Sequence, residues 1–369
     1  MTIKIYDITH SSTAVSILLL TFTLPSIFFG YLAGVYVDQL SLKKVMLVTN
    51  LIRSVLVVFL LFVVNSPVLL LILVFLLAFV TLFFVPAEGA AIPALVEERR
   101  LIAANSLFSL TLQIGIVAGF LAGGFSLSFF GEKITLFSIF ALFTFSLLLN
   151  LFLPDDIRAD IAERKGGMLA NFAKGVIFVF KNKIIRDSIF FLTMSTTIVL
   201  VLATIGPGYV DKILHTKVSH ASLLIIAPAT CGMAVGAVVI VALGHRFRER
   251  FLINTGLLSM GKTFLLMTYL SSTSFGTGYQ ILSLILIFFL GFENALITIP
   301  VTTDFQKNTP EELRGRAYGI LSTFVSGVAT LPVLLSGAIS DKFGVRTVLL
   351  FLGIVVLTFG IYRLRRRTV

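Results

Sequence analysis

The 369-residue chain has no tryptophan, one cysteine and few charges. Only 13% of its residues are Asp, Glu, Lys or Arg, about half the roughly 25% usual for soluble domains. That scarcity excludes a soluble globular protein of this length. The lone Cys231 excludes an intramolecular disulfide and reads as a small packing residue in an apolar run. Met1 to His10 holds Lys4 and Asp7 but no separate apolar core before a cleavage site, so no signal peptide is read there. The four histidines, His10, His215, His220 and His245, are scattered and form no pair at metal-ligand spacing. No nucleophile–base arrangement stands out. No enzyme activity, metal or cofactor is therefore expected.

Apolar surface is what the chain has. It is 57% hydrophobic, with a mean hydropathy of +1.03. A hydrocarbon core about 30 Å thick takes roughly 20 apolar residues per helix. The runs here are continuous rather than alternating over ten residues, which favours helices over a barrel. The expectation is an all-α polytopic membrane protein. Spans are read near 13–37, 45–65, 67–86, 103–130, 132–153, 187–210, 219–243, 251–271, 277–302, 313–339 and 343–362. The polar segment between the fifth and sixth, about 154–186, carries Leu169, Phe172, Val176 and Phe180 at helical spacing opposite Lys174 and Lys181. It reads as a short amphipathic helix in the cytoplasmic interface.

The net charge of +11 comes from connections and the C-terminus, a topology signal and not a nucleic-acid footprint. One side collects Lys43, Lys44, Arg53, Arg99, Arg100, the cations from Arg158 to Arg186, Arg246, Arg248, Arg250, Lys307, Arg314, Arg316 and the Arg363–Arg367 cluster. Lys4, Lys133, Lys212, Lys217, Lys342 and Arg346 are all that the other side holds. The bias places the first set, and the C-terminus, in the cytoplasm.

An internal repeat is visible. A shift of 213 lays Phe130-Gly131 on Phe343-Gly344 and Gly124 on Gly337, and a shift of 206 lays Gly30 on Gly236. Two parallel half-bundles follow, 1–153 with five helices and 187–369 with six, joined by 154–186. The first half is one helix short, which reads as a truncated start or a lost first helix.

Between the first two spans, Gly34-x-x-x-Asp38-x-x-x-x-Lys43-Lys44 resembles the signature that joins the second and third helices of the major facilitator superfamily. Gln39 stands where a cation is usual and Ser41 where glycine is usual. Gly337-Ala-Ile-Ser-Asp341 with Gly344 and Arg346 is a second copy near the outer face. Phe84-Val-Pro86-Ala87, Pro93, Asn105-Ser106 and the run from Pro310 to Arg316 resemble the drug-exporter branch that includes macrolide and siderophore efflux proteins. The resemblance implies a two-bundle fold of about 11 helices (5+6) that lacks the first. It also implies that Asp38 meets the start of the eleventh helix, near Glu311–Arg316, as a cytoplasmic latch. An anion at a helix N-terminus contributes about 0.3–1 kcal/mol when exposed and up to ~2 when partly buried. The plainer alternative is a carboxylate that merely ends a helix at the interface.

Three further groups carry chemistry. Gly115, Gly119, Gly123 and Gly124 form a smooth helix face. This face resembles the exporters' antiporter motif, with Phe120 in place of proline. Gly232 and Gly236 are the small residues expected to receive it, and plain small-residue packing is the alternative. Glu293 and Asn294 lie mid-span in the counterpart of the tenth helix, which lines the cavity in this family. A carboxyl there is expensive, so Glu293 is the first candidate for proton coupling; the alternative is a carboxyl neutralised by Lys262 or facing a cytoplasmic vestibule. Glu88, Gln113 and Thr197, the last within the group Thr193, Ser195, Thr196 and Thr197, are further cavity candidates. Each alone is more often a helix–helix hydrogen bond. Gly256-Leu-Leu-Ser-Met-Gly261-Lys262-Thr263 matches a phosphate-loop pattern, but an apolar run with no preceding strand excludes that use.

The function expected is export of a hydrophobic or amphipathic small molecule by proton antiport. The expected setting is a bacterial cell membrane, with a monomeric protein and no nucleic acid. Uptake by the same fold and a truncated, non-transporting membrane protein are the alternatives.

Overall fold

The computed structural model describes residues 1–38, 40–63, 65–97, 100–154, 181–243, 246–271, 276–309 and 311–365, with some side chains in the helices outside that set. Its elements are helices: α1 Thr2–Thr9, α2 Ser12–Asp38, α3 Leu42–Val63, α4 Pro67–Leu95, α5 Leu101–Leu151 and α6 Lys183–Lys212. After a π turn at Ser222–Ile226 come α7 Ala227–Leu243, α8 Glu249–Leu270, α9 Gly276–Asn308, α10 Glu311–Phe343 and α11 Val345–Arg365. Among the described residues, each of α2 to α6 and α8 to α11 contains a segment long and apolar enough to cross a membrane, as does the π turn together with α7 (Leu223–Ile240). In hydrocarbon a helix alone satisfies its backbone, so the continuous apolar runs leave the chain no other choice. The interfacial helix expected within 154–186 lies outside the described residues from 155 to 180.

The 51 residues of α5 are two arms that meet at Gly131, whose φ of 76° and ψ of −178° break the helix. Gly344, between α10 and α11, has a φ of 85°. Only glycine enters that backbone region without strain. These are the two glycines that the 213-residue shift superposes, so the repeat in the sequence returns as a repeated backbone device. The short α1 was not anticipated. Its Ile5 and Tyr6 are fully buried, and Lys4 Nζ donates to Glu132 Oε2 at 2.8 Å.

The chain divides into two compact units. One comprises Ile3–Thr9 with Ile17–Lys165, and the other His10–Ser16 with Gly166–Val369. In the first, α3 packs on α4 and α5. Val37, Leu42, Val45, Met46, Ala87 and Ala91 form a buried cluster there. In the second, α9 packs on α6, α7 and α8, while α11 packs on α8.

Lipid tails are as apolar as leucine, so helix association here relies on close fit. Glycine supplies it in the second unit. A Cβ on Gly232 would run into the Phe288 carbonyl, and one on Gly291 into the Ala229 carbonyl. The α7 and α9 backbones therefore touch. Gly261, Gly353 and Gly360 do the same for α8 and α11, against Leu357, Leu265 and Leu258.

Substituting valine for Gly232 or Gly291 is expected to remove the monodisperse peak of a fluorescent-protein fusion in size-exclusion chromatography. Alanine at Gly115, where nothing lies within 4 Å of a Cβ, is expected to leave the peak intact. Equal behaviour of the three variants would contradict the packing described.

Candidate functional site

Glu293 is 4% exposed, inside the second unit. Thr263 Oγ1 on α8 donates to its Oε1 at 2.8 Å, while its Oε2 has no hydrogen-bond partner. Ser259 stands beside the same carboxyl, but its hydroxyl donates to the Thr255 carbonyl at 2.7 Å. The neutralising cation considered from sequence is not what meets Glu293. Lys262 is exposed, and helical phase turns the next residue, Thr263, inward instead. The carboxyl therefore has one oxygen held and one unheld.

Asn294, 8% exposed, turns the other way around α9 and donates from Nδ2 to Ser195 Oγ on α6 at 2.8 Å. Adjacent polar residues thus tie α9 to two different helices. Thr197 donates to the Thr193 carbonyl of its own helix at 2.7 Å. Towards one end of the same pair of helices, Tyr209 and Tyr279 share a hydroxyl contact at 2.9 Å, and Tyr209 donates to Ser283 at 3.0 Å. All three are buried. Sequence reading passed over them because an isolated tyrosine in an apolar run carries no signal of its partner.

Glu88 belongs to the first unit, and the residue that answers it is Arg53. Counting Arg53 among the loop cations was an error. It is 5% exposed, mid-way along α3, with its guanidinium 4.1 Å from the Phe84 ring centroid and 5.5 Å from that of Phe143. Nη1 donates to Asn50 Oδ1 at 3.3 Å, whereas Nε and Nη2 have no partner. Cation–π contacts contribute about 0.5–2 kcal/mol. Each unpaired buried donor costs about 1–3 kcal/mol or more when charged, so the rings do not offset the loss. The available signal was Arg53's position eight residues into a run beginning at Val45.

The second signature copy has a defined partner. Asp341, at the end of α10, accepts from the backbone N–H of Ser12 at 2.7 Å and of Thr13 at 2.9 Å, and from Ser11 Oγ at 2.6 Å. It caps the first turn of α2, where N–H groups lack intrahelical partners and an anion meets the positive end of the helix dipole. Gly337, one turn earlier on α10, allows this approach. A Cβ there would meet Ser16 Oγ at 2.6 Å and the Ser12 carbonyl at 2.7 Å.

Other candidates are placed less fully. Gly34 and the side chains of Asp38, Gln113 and the run from Glu311 to Arg316 lie outside the set whose surroundings are described. Lys44 is exposed and Lys43 half-buried. Gly115, Gly119 and Gly123 are exposed with open space where a Cβ would stand, and Gly124 is buried. Gly232 and Gly236, expected to receive that ridge, pack on Phe288, Phe292 and Ala295 of α9. Gly256 to Thr263 is helical throughout, its glycines serving contacts to α9 and α11, so the phosphate-loop likeness is only a spelling.

The model of the Major Facilitator Superfamily matches residues 1–332. The MFS-type transporter YfmI of Bacillus subtilis (strain 168) is 27% identical over 97% of this chain and 89% of its own length. The multidrug efflux pump Tap of Mycolicibacterium fortuitum is 23% identical over 95% and 87%. Among solved structures, the nucleoside transporter NupG superposes with a TM-score of 0.70 at 16% identity, covering 98% of this chain and 92% of that one. The POT family transporter PepTSo gives 0.67 at 11% identity, covering 97% and 90%.

Thr263→Val leaves neither Glu293 oxygen held, and is expected to lower stability by about 1–3 kcal/mol. Thermal unfolding of the purified protein in detergent checks this. Melting identical to the parent would show that Thr263 does not hold the carboxyl.

Proposed function

This chain belongs to the major facilitator superfamily, and from that premise we propose that it exports a hydrophobic or amphipathic small molecule in exchange for protons. It is an integral membrane protein and a transporter, not an enzyme; its substrate is a small molecule. The reading of direction is supported by Tap, which matches along nearly the whole chain, and by the glycine ridge that resembles the exporters' motif. The observation that carries proton coupling is Glu293: a carboxyl 4% exposed, with one oxygen bonded and the other not. A lasting charge in such a place is costly. Proton uptake therefore stabilises Glu293 whenever it is shut away from water.

In the proposed cycle two half-bundles, 1–153 and 187–369, alternate access to a midplane site. Glu293 releases its proton when water reaches it from the cytoplasm and reloads it from outside. Asn294 and Ser195 tie α9 to α6 beside it, so a movement of either helix reaches the carboxyl. Asp38 latches the cytoplasmic side. The cation-rich connections and the C-terminus lie in the cytoplasm.

Expressed in a bacterial host stripped of its own efflux pumps, the chain is expected to raise resistance to ethidium or erythromycin. Glu293→Gln is expected to abolish that gain at equal membrane abundance. Resistance unchanged by the substitution would remove Glu293 from the mechanism.

A further inference from the structure

We propose that Arg53 is a positioning residue for Glu88, and that the two form a proton-sensitive charge pair inside the first unit. The free edge of the guanidinium carries the idea. Nε and Nη2, which have no partner, are the two donors of its side fork, and that fork matches the two oxygens of a carboxylate. The opposite nitrogen, Nη1, is held by Asn50 Oδ1 at 3.3 Å, and Asn50 in turn donates to Ser146 Oγ at 2.9 Å. The guanidinium carbon lies over the Phe84 and Phe143 rings. The face of a ring attracts the cation, and Nε and Nη2 remain without a hydrogen-bond partner. The cation is thus oriented with its carboxylate-binding edge empty.

Glu88 is the acid placed to fill it. It follows Phe84 by four residues, so the two share a face of α4, and Phe84 already lies on the guanidinium. Glu88 is half-buried and within electrostatic reach of Arg53. Among the described residues, Arg53 on α3 is the charged group that acts on it, and from α5 Ser146 meets Asn50. The acid on α2 is Asp38, whose side chain is outside the described set. Ionised, Glu88 closes on the fork. Protonated, it lets go, and Arg53 rests on Asn50 and the two rings alone. Ser54 Oγ and Asn150 Nδ2, also buried without partners, leave room in the local hydrogen bonding for that exchange. The pair operates whatever molecule is carried and in whichever direction.

The absence of tryptophan gives a clean reporter. Phe84→Trp places one indole against Arg53 in the full chain, purified and held in nanodiscs without any substrate. Its emission maximum is expected to shift on titration from about pH 4 to about pH 9. Adding Glu88→Gln is expected to abolish the shift, as is adding Arg53→Met. Adding Arg53→Lys, which keeps the charge, is expected to preserve a smaller one. Emission that ignores pH, or a shift that survives Glu88→Gln, would overturn the proposal. Arg53→Lys and Glu88→Gln keep it testable should Arg53→Met not fold. Because no substrate is used, this outcome is separate from success or failure of the resistance assay.

Discussion

Hydrocarbon offers polar groups no partner, and that constraint governs the molecule. It forces the backbone into helices and makes each buried polar side chain depend on another. Most obey at short range: Thr49, Thr204 and Thr268 bond a carbonyl one turn back on their own helix. The informative ones reach across. Asn50 reaches Ser146, Asn294 reaches Ser195, Tyr209 reaches Tyr279 and Ser283, and Thr263 reaches Glu293. These contacts sort the helices as much as apolar packing does, since apolar packing hardly distinguishes a helix from lipid.

Against that background the incomplete groups stand out. Glu293 Oε2 and two nitrogens of Arg53 are buried without partners. A folded state keeps such deficits only where neighbouring structure fixes them. Ser54, Asn150, Thr193 and Asn254 carry such atoms as well; Glu293 and Arg53, one in each unit, are the ones with a charge or proton that the proposals above use. In the proposed mechanism they are the loaded positions, and the satisfied hydrogen bonds around them are the frame. Glycine contacts complete that frame: Gly232 and Gly291 bring α7 to backbone distance of α9, the bearer of Glu293, and Gly256 brings α8 close to α9 as well.

Much of this was legible in the sequence. Unbroken apolar runs bounded by charge placed the long helices, because length and hydropathy are local properties; the spans read near 103–130 and 132–153 are one broken helix, α5, with a candidate span at Ala122–Leu151 among the described residues. The repeat located Gly131 and Gly344, because a residue that must take positive φ is hard to replace. Glu293 and Asn294 could be singled out as polar residues in an apolar run. Their partners could not, since Thr263 and Ser195 are ordinary helical residues until two helices meet. Arg53 was misplaced for a related reason: counting cations by proximity to a loop ignores how far into the helix each one sits. The cap that Asp341 gives to Ser12 and Thr13 joins residues 328 and 329 positions apart, and no local pattern carries that information. Small α1 lacked the length for a span signal.

The central claim is that the carboxyl of Glu293, shut in apolar surroundings with one oxygen unheld, carries an exchangeable proton. Infrared spectroscopy of the protein in nanodiscs tests it most directly, by subtracting the spectrum of Glu293→Gln from that of the parent. The account predicts a protonated-carboxyl stretch in the difference spectrum at neutral pH, which fades on alkalinisation. A difference spectrum showing only ionised carboxylate at neutral pH would contradict it.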